Sequence, residues 1–63
     1  MTKLTTLRLT RLQMGLSQHE VEMKTGIHQA LLSLYEREIR APNDTHKETL
    51  AKLYSKEVWE LWR

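Results

Sequence analysis

Residues 16–36 read LSQHEVEMKTGIHQALLSLYE, and the way this stretch folds decides the fold of the whole 63-residue chain. Ser17 followed three residues later by Glu20 is the S-x-x-E pattern of a helix capping box. A short helix is therefore predicted over about Gln18 to Thr25, with Val21 facing inward. Gly26 follows at once and supplies a turn at little steric cost. Ile27 is an apolar anchor, and a second helix is predicted from His28 or Gln29 to about Arg37. Two short helices around so tight a turn form a helix-turn-helix over about residues 17–37. Val21, Ile27, Leu32 and Tyr35 fall where the pair must pack together.

The second of these helices carries more leucine than one apolar stripe needs. At about 100° per residue, Leu31, Leu32, Tyr35 and Ile39 share one arc with His28 inside it, the expected core side. Gln29, Ala30, Ser33, Leu34 and Arg37 occupy the opposite arc.

Outward from this unit, residues 4–14 (LTTLRLTRLQM) predict a first helix with Leu4, Leu7, Arg11 and Met14 near one face and Leu12 beside it. Gly15 ends it. EIRAPND, residues 38–44, is the longest irregular stretch, since Ala41 before Pro42 is biased away from helix. Asn43, Asp44 and Thr45 offer caps for a fourth helix on which Leu50, Leu53 and Tyr54 share a face. KEVWELWR, residues 56–63, predicts a fifth, with Val58, Leu61 and Trp62 inward and Trp59 elsewhere. The expected fold class is all-α: a single domain over residues 1–63, with no strand, repeat or linker.

A chain this short is near the lower limit for an unaided core. It has no cysteine, hence no disulfide, thiolate nucleophile or zinc–thiolate site. No apolar run approaches the ~20 residues that span a bilayer, and the N-terminal MTKLTTLRLTRLQ is not a signal peptide, so a soluble, cytoplasmic protein without a membrane partner is expected. Its formal charge of +2 permits nucleic acid as a partner without requiring it. Ser17, His19 and Glu20 lie too close along one helix to form a nucleophile, base and orienting group, and there is no glycine-rich phosphate loop. No enzyme, cofactor or small-molecule substrate is expected. His19, His28 and His46 lack close ligand spacing, so no metal site is expected either.

In chain order, LSQ opening the second helix, TGI at the turn, S-x-x-E late in the third, then R-A-P and LAKLY resemble the lambda-repressor-like domains of Cro, phage repressors and XRE-type regulators. The resemblance covers almost the whole chain. Three positions depart from it: Glu22 where a small residue is usual, Thr25 where an aliphatic is common, and Glu38 where many members have glycine. The resemblance implies a five-helix domain acting as a small transcriptional regulator, its third helix (about 28–37) in the major groove of double-stranded DNA.

It further implies that Gln29, Ala30, Ser33 and Leu34 meet base edges. A glutamine amide matches adenine N6 and N7, and an apolar side chain suits a thymine methyl. Gln18, His28, Arg37, Arg40 and Lys47 are then expected near phosphates. Arg11 and Glu36 match an arginine and a glutamate that pair between the first and third helices, making Arg11 structural rather than DNA-contacting. Trp59 becomes a possible surface of a homodimer on two operator half-sites. The competing expectation is a protein-interaction module, antitoxin-like or a co-regulator, that uses Leu34 and Trp59 against another protein.

Overall fold

A computed structural model describes residues 4–62. Among them are five α-helices and no strand: α1 (Thr6–Gln13), α2 (Gln18–Thr25), α3 (Gln29–Glu36), α4 (Asp44–Leu53) and α5 (Val58–Leu61). The last helix is shorter than expected: Lys56 and the N-cap Glu57 precede it, Trp62 is already its C-cap, and Arg63 lies outside the described residues.

Polar side chains start the first four helices. The Thr5 hydroxyl accepts from the Arg8 N–H at 3.3 Å. Ser17 accepts from Glu20 N–H at 3.0 Å, and Glu20 returns the bond to Ser17 N–H at 3.0 Å, closing the capping box. The backbone N–H of Ser17, and then its hydroxyl, hold the Glu20 carboxyl below the usual carboxylate range. His28 Nδ1 accepts from Ala30 N–H at 3.1 Å, and Asn43 Oδ1 from His46 N–H at 2.8 Å.

Three of the helices end on one device. A residue in the left-handed region follows the cap, and two N–H groups reach back into the last turn. After α1, Gly15 (φ +71°) and Leu16 donate to Leu12 and Arg11 carbonyls. After α3, Glu38 (φ +60°) and Ile39 donate to Tyr35 and Leu34. After α4, Ser55 (φ +55°) and Lys56 donate to Lys52 and Ala51. Only the first places glycine at the left-handed position. The other two hold a side chain in a conformation that costs roughly 1–2 kcal/mol for residues with a Cβ.

The core consists of Leu7, Val21, Ile27, Leu32, Tyr35, Leu50, Ala51, Tyr54 and Leu61, with Leu16, Leu31, Leu53, Val58 and Trp62 half-buried around it. α2 packs on α3 and α4, α1 on α3, and α5 on α4. Tyr35 also ties α3 to the start of α4: its hydroxyl lies 2.8 Å from His46 Nδ1, and the two rings meet edge to face.

Several positions differ from the sequence expectation. Leu4, Leu12 and Met14 are exposed. Leu4 precedes the N-cap, Leu12 is about 100° round from Arg11, and Met14 is the C-cap where the chain turns away. Their places are taken by Thr5 and Thr10, both buried. Thr5 donates its hydroxyl to Glu36 O at 2.6 Å, and Thr10 to Thr6 O at 2.7 Å. Ile39 is 64% exposed because it follows the left-handed Glu38, where the helical projection no longer applies. His28 is exposed at the cap rather than on the core side.

One polar group lies at the centre of this apolar packing. Arg11 Nε donates to Glu36 Oε2 at 2.7 Å and its Nη2 to Oε1 at 3.1 Å, with 8% and 2% of the two side chains exposed. The third arm, Nη1, donates to Leu16 O at 2.7 Å. α1, the α1–α2 turn and the end of α3 are thereby joined at one point.

Glu36→Ala strands the Arg11 charge and costs about 3–5 kcal/mol. Domains of this size hold roughly 3–9 kcal/mol at ~0.05–0.15 kcal/mol per residue. Urea titration followed by circular dichroism is expected to find the variant largely unfolded; a midpoint near wild type would contradict this role. Ser55→Gly relieves the left-handed strain and is expected to stabilise by about 1 kcal/mol, raising Tm by roughly 4–8 °C; an unchanged or lower Tm in a calorimetric scan would refute it.

Burial, and secondarily the Glu36 charge, push the Tyr54 phenol up to about 12. In the unfolded chain it ionises near 10. Its contribution is therefore intact below pH ~10 and is lost as pH rises from there through 12. Stability measured against pH should show this decline in wild type and a shallower one in Tyr54→Phe.

Candidate nucleic-acid interface

Between α2 and α3 there are three residues, each fixed by a separate contact. Gly26 takes φ +78°, where its N–H still reaches Glu22 O at 2.7 Å. Ile27 is buried and seats the turn on the core. His28 caps α3. Thr25 adds a fourth tie, donating its hydroxyl to Val21 O at 2.7 Å and accepting from Ile27 N–H at 3.1 Å. The departure from the family pattern at Thr25 thus gives the turn hydrogen bonds that an aliphatic residue lacks. Glu22, the other departure in this helix, is half-buried.

With its ends fixed, α3 presents a defined outer face. Gln29, Ala30 and Arg37 are exposed and Ser33 and Leu34 half-buried, all within an arc of about 140°. The opposite arc holds buried Leu32, Tyr35 and Glu36 together with half-buried Leu31. Arg37 leans back along the helix, its Nε donating to Ser33 O at 3.3 Å.

The residues expected near phosphates fall in three places. His28 lies at the N-terminus of α3, and Arg37 at its C-terminus. Because His28 Nδ1 accepts the capping hydrogen bond, only the Nε2 edge is left for another partner. Gln18 is the first residue of α2, half-buried, and its Nε2 donates to Glu36 Oε1 at 3.0 Å. Arg40 and Lys47 line a separate cleft of about 440 Å³, with Thr5, Glu38 and Trp62 among its other walls. Trp59, on α5, keeps 64% of its surface exposed.

Two of these contacts were not foreseen. The Gln18–Glu36 hydrogen bond joins residues 18 apart in sequence that no helical period connects. The Tyr35–His46 pair likewise needs the packing of α4 on α3 before it exists. The S-x-x-E box, in contrast, was legible because its partners are local. Among the described residues no group of three or more His, Cys, Asp or Glu could hold a metal, and no helix is long and apolar enough to cross a membrane.

A family model described as helix-turn-helix matches residues 7–58, running from α1 to the start of α5. No curated protein and no solved structure matches the chain. The match takes in both helices of the turn, the ion pair and the fourth helix. The chain belongs to the XRE-type, lambda-repressor-like helix-turn-helix family, whose members are typically DNA-binding regulators.

Proposed function

We propose that this domain is a sequence-specific double-stranded DNA-binding protein of the repressor or Cro kind, acting in the cytoplasm. The observation that carries the reading is the outer face of α3: a strip of small and polar side chains, free of core duties, on a helix fixed at both ends. A helix presented in this way fits the major groove. Gln29 supplies a paired donor and acceptor for adenine, and Ser33 a hydroxyl for several bases. Ala30 and the half-exposed Leu34 offer apolar contact to thymine methyls.

Phosphate contacts from Gln18, His28, Arg37, Arg40 and Lys47 set the register and most of the affinity. Two copies would bind half-sites about one helical turn apart, with the α5 surface around Trp59 between them. The same exposed tryptophan favours a second reading, a protein-interaction module, because large exposed aromatic side chains often mark partner surfaces.

Selection of bound sequences from a random duplex pool tests these assignments together. A two-fold symmetric site is expected, and Gln29→Ala should relax one base pair in each half at a cost of roughly 1–3 kcal/mol. The same preferred sequence before and after the substitution would remove Gln29 from base contact, and an asymmetric single site would remove the dimer. No retention on mixed duplex DNA at low salt would favour the interaction module.

A further inference from the structure

We propose that Glu36 is a positioning residue for the amide of Gln18, so that the buried ion pair sets which edge of that amide faces a DNA phosphate. This rests on the DNA-binding reading above and concerns how that surface is built. A glutamine amide has a donor edge and an acceptor edge of nearly equal shape, and an unrestrained amide samples both orientations. Gln18 is restrained. Its Nε2 donates to Glu36 Oε1 at 3.0 Å, its one side-chain hydrogen bond to the described protein.

A carboxylate paired with Arg11 only accepts, so the reversed amide would set two oxygens against each other. Nor is the carboxylate free to turn away. Both its oxygens are held by the Arg11 fork, Arg11 is held by Leu16 O, and the Glu36 carbonyl is held by Thr5.

One hydrogen of Nε2 is thus committed to Glu36 and the second remains for an outside acceptor. Gln18 is also the first residue of α2, where the unpaired backbone N–H groups of the helix start favour an anion. A phosphate arriving there meets an N–H and not the amide carbonyl, which would repel it. Glu36 acts on DNA through this orientation without touching the duplex, and its negative charge is offset by the guanidinium beside it.

The test uses the full chain with nitrogen-15 label and a mixed-sequence duplex. In the free protein, one side-chain amide proton of Gln18 should exchange more slowly than those of Gln13 and Gln29. Adding duplex should shift the other proton. Rapid exchange of both, or a shift confined to the Glu36-bonded proton, overturns the proposal.

Binding supplies the second arm. Gln18→Met should weaken binding to every duplex by about threefold to tenfold, one hydrogen bond's worth. The slope of affinity on salt should not change, because no charge is removed. Glu36→Gln, titrated at low temperature on its folded fraction, should weaken binding in the Gln18 protein and add nothing in the Gln18→Met background. Additive effects overturn the proposal, and if Glu36→Gln does not fold, the amide exchange of the unsubstituted chain decides. Loss of stability in Gln18→Met with unchanged Kd reduces Gln18 to a structural role. Absence of any duplex binding at low salt removes the DNA reading itself, whereas binding with additive effects removes only this inference.

Discussion

A guanidinium and a carboxylate that are both almost wholly buried hold α1 against α3, and most of the remaining geometry depends on them. Arg11 and Glu36 meet through two hydrogen bonds of 2.7 and 3.1 Å. Apolar contacts around them are interchangeable to a degree, since one leucine can slide against another at small cost. A bidentate ion pair is directional and tolerates little displacement. It also spends donors beyond the pair: the third arm of Arg11 closes the α1–α2 turn, and Gln18 completes Glu36. Desolvation costs can cancel the Coulombic gain of a buried pair, so its value to this domain lies in register more than in net stability. In a core of nine buried apolar residues, that fixes how α3 is rotated, and hence which side chains it turns outward.

The helix ends carry the second constraint. An eight-residue helix is marginal by itself in water, so α1, α2 and α3 depend on their packing and on satisfaction of their unpaired backbone groups. Side chains cap their starts, and turns that fold back on the last carbonyls close α1 and α3. Glu38 and Ser55 show that geometry outweighs local preference here. Each adopts a left-handed conformation without being glycine, because continuing the helix would carry the chain away from the core. At Glu38 the same bend leads directly into Arg40, Ala41 and Pro42, and thence to the cap of α4.

What could be read in the sequence followed the range of the interactions. The capping box, the glycine turn and the inward Val21, Leu32 and Tyr35 depend on neighbours within four residues, and they were legible. Arg11 and Glu36 were identified only through the family pattern, because nothing local marks an arginine for burial. Thr5 and Thr10 were missed for a related reason: their hydroxyls are satisfied by carbonyls, so they pass as core residues without being apolar. Periodicity puts Leu4, Met14 and Ile39 inward and Leu12 beside that face, but the helices do not extend far enough, or do not rotate correctly, to bury them. Gln18 sits on the expected surface, but its hydrogen bond to Glu36 depends on packing that the spacing alone does not give. His28, which the helical projection puts on the core side, caps α3 instead.

The division of labour on α3 follows from these two constraints. Its inner arc is committed: Leu32 to the core, Tyr35 to the core and His46, Glu36 to Arg11 and Gln18. The side chains of Gln29 and Ser33 make no hydrogen bond to the rest of the described protein, and Ala30 has none to make. Substitutions there leave caps, turn and ion pair untouched, so the outer face of the helix can change while its placement does not. Leu34 is the intermediate case. Its carbonyl closes the turn after α3 by accepting from Ile39 at 3.0 Å and Arg40 at 3.4 Å, while its side chain is half-exposed on the outer arc. Gln18 differs from all four in that it serves the packing and the surface together. Along α3 the residues that hold the fold and those that face outward are separate, whereas on α2 the half-exposed Gln18 is also bonded to the buried Glu36.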